Sequence, residues 1–231
     1  SELVVQPQLS AGQRGRLLLD DGRRWASFGN LGLADDRYRE AAMVAKDSVE
    51  GVAGGAYLAV ARLKRAPDLT SLPELQKTLQ AAQQRGGIAA SIAGPVTPVL
   101  VRAMLVQQHT EGSAADVRMF LVAEELRDSL GARGPAMDMF LTLERTHPGS
   151  PLAPKALLAA LALDEALADS LYSLLLDRYA DSPYALALTG EAGDRFTALE
   201  DSLRIVLAEQ RARFGRGEVE VGEEERGVVR R

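Results

Sequence analysis

Apolar residues recur every three or four positions along most of the chain, and short runs of Gly, Pro, Ser and Asn separate these stretches. This spacing predicts a succession of amphipathic helices joined by short loops. The first helix is predicted to begin after the N-cap Ser10 and to run to about Phe28. Asn30 and Gly32 are predicted to end it.

Helices are also predicted in the middle of the chain. The stretch 52–64 is rich in Ala and Gly, which favours a helix that packs closely against its neighbours. Ser71 and Glu74 have the spacing of a capping box, so a further helix is predicted to begin there. Pro95 and Pro98 interrupt the helical pattern, and a helix is predicted to restart at Pro98.

An internal repeat lies in the second half of the chain, where FLTLERTHPGSPLAPKAL (140–157) matches YSLLLDRYADSPYALALT (172–189) at an offset of 32 residues. Each copy is a helix, a sharp Ser-Pro turn and a new helix. The serine can cap the second helix and the proline suits its first turn. The matched pairs are Ser150 and Ser182, Pro151 and Pro183, and Phe140 and Tyr172.

A helix-pair period of about 34 residues is typical of tetratricopeptide repeats. The chain resembles this family over 114–190: with Pro148 at the closing proline, Ala136 and Phe140 take the small and aromatic positions of the second helix. The family's glycine and tyrosine positions instead hold Glu124 and Arg127. A second match, over 15–48, consists of Leu18, Gly22, Trp25, Ala34, Tyr38 and Ala41.

The resemblance implies an all-α fold in which antiparallel helical hairpins stack as a TPR-like α-solenoid. The expected layout is an N-terminal helical region (1–112) with one divergent hairpin (15–48) and an unassigned helical part (49–112), a repeat pair (113–190), a capping helix (191–213) and a charged tail (214–231).

In this family the first helices line a concave groove that holds a protein segment. By the same resemblance, the groove-facing positions of the chain are Arg16, Leu19 and Arg23 in the first hairpin, and Arg118, Leu121, Glu125 and Asp128 in the 117–150 unit. The partner implied is a protein of unknown identity.

The turns HPGSPLAPKA and YADSPYALA are similar to those of bacterial envelope TPR proteins, including the outer-membrane assembly lipoprotein and periplasmic cell-division coordinator families. This resemblance implies a periplasmic or envelope location, with the cytoplasm left open. Because no stretch approaches the roughly 18 apolar residues of a membrane span, no direct span is predicted. The chain begins at Ser1, so we expect any membrane attachment to come through an N-terminal segment removed earlier.

Composition narrows the chemistry further. A net charge of −5 disfavours nucleic acid as a partner, because such binding depends on Lys and Arg neutralising phosphates. The absence of cysteine excludes disulfides, thiolate nucleophiles and Cys-ligated metals. The two histidines, His109 and His147, are far apart in sequence, which disfavours a metal site or a catalytic triad. No phosphate-binding loop or nucleophile elbow is present, so no cofactor is predicted.

These observations favour a non-enzymatic protein–protein interaction scaffold. Two alternatives stay open. In the first, the chain is a permanent structural subunit of a larger complex. In the second, it is a small-ligand binder or an enzyme whose site lies in 49–112.

Overall fold

A computed structural model describes residues 9–215, and every regular element among them is helical, as predicted. The first six helices are α1 (Ala11–Ser27), α2 (Leu31–Val44), α3 (Val49–Arg65), α4 (Leu72–Arg85), α5 (Gly87–Ala93) and α6 (Thr97–Gln108). The next six are α7 (Ala115–Glu124), α8 (Arg133–Thr146), α9 (Leu152–Leu161), α10 (Ala168–Arg178), α11 (Pro183–Thr189) and α12 (Asp194–Gly215). A 3-10 turn (Leu69–Ser71) precedes α4, and a π-helical segment (Glu125–Ser129) continues α7.

The described residues form two compact units. Unit 1 holds 9–66 and 70–101, and unit 2 holds 67–69 and 102–215. The boundary therefore falls inside α6, whereas the predicted layout placed it at residue 112. Residues 216–231 of the predicted charged tail lie outside the described part of the chain.

Both bounds of α1 match the prediction to within one residue, but the role predicted for Asn30 does not. Ser10 Oγ accepts a hydrogen bond from the Gln13 backbone N–H, and the Gln13 side chain accepts one from the Ser10 N–H, which completes a capping box. After α1, Gly29 has a φ of 76°. Asn30 caps the start of α2 by accepting from the Leu33 N–H, so it begins a helix rather than ending one.

Unit 1 is held together by close approaches between small residues, as predicted for 52–64. Helix α3 packs against α1, α2, α4 and α5. A Cβ atom added to Gly54 would lie 2.5 Å from the Tyr38 carbonyl oxygen, so a larger residue cannot fit there. The predicted capping box at Ser71 is absent, because Ser71 has helical backbone angles and the 3-10 turn leads directly into α4.

In unit 2, consecutive helices from α7 to α10 contact one another. Helix α7 packs on α8, α8 on α9 and α9 on α10, while α9 also contacts α7 and α11. The core contains the rings of Phe120 and Phe140, whose centroids are 5.4 Å apart. Tyr172 does not repeat the role of Phe140: its side chain is 41% exposed, and Leu171 and Leu175 form the buried face of α10.

The two Ser-Pro turns of the internal repeat also differ. Ser182 caps α11 by accepting from the Ala185 N–H, as predicted. Ser150 instead donates to the Asp116 carboxylate and accepts from the Leu152 N–H. The same residue type therefore caps a helix in one repeat and ties the turn to α7 in the other.

Candidate functional site

The last described helix, α12, packs against two earlier helices of unit 2. The chain reaches it through a short turn in which Gly190 and Gly193 have φ values of 80° and 51°. Helix α12 then contacts α11 and α7. A 22-residue helix therefore covers one side of unit 2.

One face of α12 is turned toward unit 2. Leu203, Leu207, Gln210 and Phe214 are buried, and they follow one another at intervals of four, three and four residues. Ile205, which points the other way, is 60% exposed. The four buried residues therefore form one seam along α12, while Ile205 and Val206, the latter 42% exposed, leave apolar surface on the rest of the helix.

At its N-terminal end, α12 is fixed by one carboxylate and one ring. Glu200 accepts hydrogen bonds from Lys155 Nζ at 2.7 and 2.6 Å and from the Tyr184 hydroxyl. The Phe196 ring meets the Tyr184 ring edge-on, with centroids 5.6 Å apart. Lys155 Nζ also lies 5.8 Å from the centroid of the Phe120 ring. The ammonium group is therefore held between an anion and an aromatic face.

These contacts change the ionisation of the groups involved. Burial opposes the charged form of Glu200, but the hydrogen bonds from Lys155 and Tyr184 outweigh it and lower the pKa of the Glu200 carboxyl. Burial, and then the hydrogen bond to Glu200, raise the pKa of the Tyr184 hydroxyl. Both shifts favour an ionised Glu200 beneath a neutral Tyr184 at neutral pH.

The C-terminal end of α12 carries the opposite charge. Arg211 donates to the Glu124 carboxylate at 2.5 Å. Phe214 lies beneath the Arg102 guanidinium, 5.9 Å from ring centroid to Cζ, and Arg102 donates to both oxygens of Glu125. Helix α12 is thus bound through an acidic residue near one end and a basic residue near the other.

Two cavities lie along this seam. The first, of about 340 Å³, is lined by Arg102, Leu121, Glu124, Glu125, Asp128, Ser129, Arg211 and Phe214. The second, of about 310 Å³, is lined by Glu124, Lys155, Glu200, Asp201, Arg204, Leu207 and Arg211. Both cavities are open to solvent, and most of the residues that line them are charged.

Three of the four residues predicted in the 117–150 unit come together at the first cavity. Leu121, Glu125 and Asp128 all line it, although Leu121 is only 2% exposed. The hydrogen bonds from Arg127 lower the pKa of the Asp128 carboxyl. Arg118 is placed elsewhere: it is 8% exposed and donates to the Ser113 carbonyl, so its guanidinium holds a loop.

The three residues predicted in the first hairpin do not form a common site. Leu19 is 1% exposed and belongs to the core of unit 1, which corrects its assignment to an accessible groove surface. Arg16 is exposed, and Arg23 is exposed and paired with Asp20. The buried face of α1 consists of Gly15, Leu18, Leu19 and Gly22, and the two arginines lie at its solvent-exposed edge.

Sequence reasoning missed Lys155, Tyr184, Glu124 and Arg211. A signal was available in α12, whose apolar residues Leu203 and Leu207 repeat at helical spacing. That spacing indicates that α12 has a buried face. It does not indicate which surface of the protein that face packs against.

The sequence disfavoured a metal site and left a small-ligand site in 49–112 open. Within 9–215, no group of three or more His, Cys, Asp or Glu side chains is placed to hold a metal ion. Region 49–112 contains a cavity of about 200 Å³ beside Arg62, Glu74 and Thr78. His147 Nε2 lies 2.6 Å from the Thr110 carbonyl oxygen.

No single helix within 9–215 is both long and apolar enough to cross a membrane, although α5 and α6, bent by 43°, meet that test as a pair.

Comparisons with protein-family models, with curated proteins and with solved structures find no match to the chain.

Proposed function

We propose that the chain is a non-enzymatic protein-interaction scaffold made of TPR-like helical hairpins, and that it binds a protein segment on the side of unit 2 formed by α7, α9 and α11. We name this surface the α12 seat and define it by Glu124, Glu125, Asp128, Lys155 and Tyr184. One observation carries the proposal: a helical segment, α12, already rests there through matched charges and a buried apolar seam.

The surface has the properties of a protein-binding site. Its cavities are open clefts lined by both charged and apolar groups, and a polar, solvent-accessible rim is found around protein interfaces. The expected envelope or periplasmic location rests on the resemblance of the turns and is part of the same proposal.

A site-specific photo-crosslinker tests this proposal. We would place the reactive group at Asp128, which lines the first cavity, and at Arg145 of α8, which is exposed and lies outside both cavities. Irradiation in the source cells should join one defined protein to position 128 and not to position 145. Glu125→Lys should abolish the adduct. Adducts of equal yield at both positions, or none at 128, would contradict the proposal.

A second candidate is a permanent structural subunit, which one feature of unit 1 favours. Phe28 is 72% exposed and Leu31 is 56% exposed at the α1–α2 turn, and the Trp25 ring lies edge-on to Phe28. Exposed apolar side chains in one place mark a contact surface. Phe28→Ser with Leu31→Ser should then release the chain from its complex in size-exclusion chromatography.

A further inference from the structure

We propose that the α12 seat is a receptor for an amphipathic helix of a partner protein, and that α12 occupies this receptor as an internal ligand until the partner helix displaces it. The inference rests on the proposed function and goes beyond it, because it specifies the residue pattern and the direction of the bound segment.

The pattern follows from the contacts of α12. The residues that face the seat are Phe196, Glu200, Leu203, Leu207, Arg211 and Phe214, which gives the spacing Phe-x3-Glu-x2-Leu-x3-Leu-x3-Arg-x2-Phe. The two leucines supply apolar burial, and the outer rings contact Tyr184 and Arg102. A partner helix that reproduces this spacing satisfies the same groups.

Charge sets the direction of the bound helix. The seat is basic at Lys155 and acidic at Glu124 and Glu125. A helix with its acidic residue nearer the N-terminus matches both ends. The reverse orientation places acid against Glu124 and base against Lys155, and like charges at these separations repel.

Three features make α12 exchangeable. Two solvent-open clefts border its contact with α7 and α9. The ion pairs that hold it are open to solvent, with Arg211 56% and Glu200 34% exposed. The turn before α12 contains Gly190 and Gly193, which adopt the backbone conformations a hinge needs without a steric penalty. While α12 is docked, the seat is closed to an external helix. The apparent affinity for that helix is therefore the intrinsic affinity multiplied by the fraction of chains in which α12 is undocked.

The test uses a fluorescent synthetic peptide with the sequence of 194–215 and measures its anisotropy with the full chain. Against the unmodified chain, α12 competes and binding is weak. Arg211→Ala with Phe214→Ala in the chain weakens the internal helix and leaves the seat intact, so the peptide should bind at least about tenfold more tightly. Ile205→Ala, on the exposed face of the same helix, should leave the affinity unchanged.

A charge exchange tests the recognition itself. Adding Lys155→Glu to the double variant should abolish peptide binding, and a peptide carrying Glu200→Lys should restore it. If the double variant does not fold, Arg211→Glu alone, a change at an exposed side chain, should raise the affinity in the same direction.

Equal peptide affinity in all variants, or no binding to a folded chain with a weakened α12, would overturn the inference. The outcome is separate from that of the proposed function. A cross-link at position 128 without peptide binding keeps the scaffold and removes the helix receptor. Peptide binding without a cross-link shows that α12 is exchangeable, but it removes the partner protein and with it both the scaffold and the receptor role.

Discussion

The ring of Tyr38 on α2 fills the space that a side chain at Gly22 on α1 would need. A Cβ atom added to Gly22 would lie 2.5 Å from Tyr38 Cε1. The ring cannot move aside easily, because it is 5% exposed and stacks on Tyr57 with centroids 4.4 Å apart. We expect Gly22→Ala to lower the free energy of unfolding by about 1–3 kcal/mol, the usual effect of overpacking. Urea denaturation measures the change.

Gly55→Ala in α3 is the matched control. No atom lies within 4 Å of a Cβ at that position, so the substitution should raise the free energy of unfolding by about 0.5–1 kcal/mol through helix propensity. If Gly22→Ala proves as stabilising as Gly55→Ala, the close approach of α1 and α2 is wrong.

Phe140 and Tyr172 occupy equivalent positions in the repeat but should respond differently to truncation. Phe140 is fully buried beside Phe120, so Phe140→Ala should reduce the free energy of unfolding by about 3–5 kcal/mol. Tyr172 is 41% exposed, and Tyr172→Ala should change it by no more than about 0.5 kcal/mol. Thermal melts of both variants, compared with the parent chain, decide the point. Equal losses would support a strict repeat.

The all-α class could be predicted from the sequence because the signals for helices are local. Ser10 and Pro98 act on the backbone within a few residues of themselves. The resemblance also placed Gly22 and Tyr38 in one hairpin, where they do meet. Asn30 was misassigned because an Asn after a helix can end that helix or cap the next one, and one sequence does not distinguish the two.

The candidate site was harder to predict because it joins distant residues. Lys155 and Glu200 are 45 residues apart, and Glu124 and Arg211 are 87 apart. Surface charges of both signs occur along the whole chain, so the pairs that meet depend on how the helices pack. Leu121 was predicted as a groove residue, and it lies at the wall of the first cavity while being 2% exposed, so it belongs mainly to the core of unit 2.

Glu144 is a buried carboxylate, and the hydrogen bonds that it accepts allow a further prediction. It is 3% exposed and accepts hydrogen bonds from Arg178 and, at 3.0 Å, from the Tyr179 hydroxyl. Tyr179→Phe removes one donor from a charged group that water does not reach, so the free energy of unfolding should fall by about 1–3 kcal/mol. Chemical denaturation of this variant and of Tyr172→Phe, whose ring is exposed, measures the difference.

The same tyrosine gives the chain a response to high pH. Burial, and then the hydrogen bond to Glu144, raise the pKa of Tyr179 from 10.0 to about 12. Because the folded-state value is the higher one, the stabilisation is complete below pH 10 and is lost as the pH rises through about 12. Titration of tyrosinate absorbance should therefore show one late-titrating group fewer in Tyr179→Phe. Identical alkaline titrations of the two proteins would contradict this.

At low pH the docking of α12 should weaken. Hydrogen bonds from Lys155 and Tyr184 outweigh burial and lower the pKa of Glu200 from its usual 4.5. Since the docked-state value is the lower one, the stabilisation is present above pH 4.5 and is lost as the pH falls through the docked-state pKa. The pair is partly open to solvent, so the loss should amount to about 1 kcal/mol.

Energy transfer between two dyes can follow this release, because the chain has no cysteine and accepts labels at chosen sites. Ser202→Cys on α12 and Ser173→Cys on α10 are both exposed positions. The dye separation should lengthen on acidification below pH 4.5 and recover on neutralisation. Glu200→Gln keeps a hydrogen-bond acceptor for Tyr184 but cannot titrate, so its response should be smaller. An equal response in both proteins would contradict the prediction and would remove Glu200 from this role.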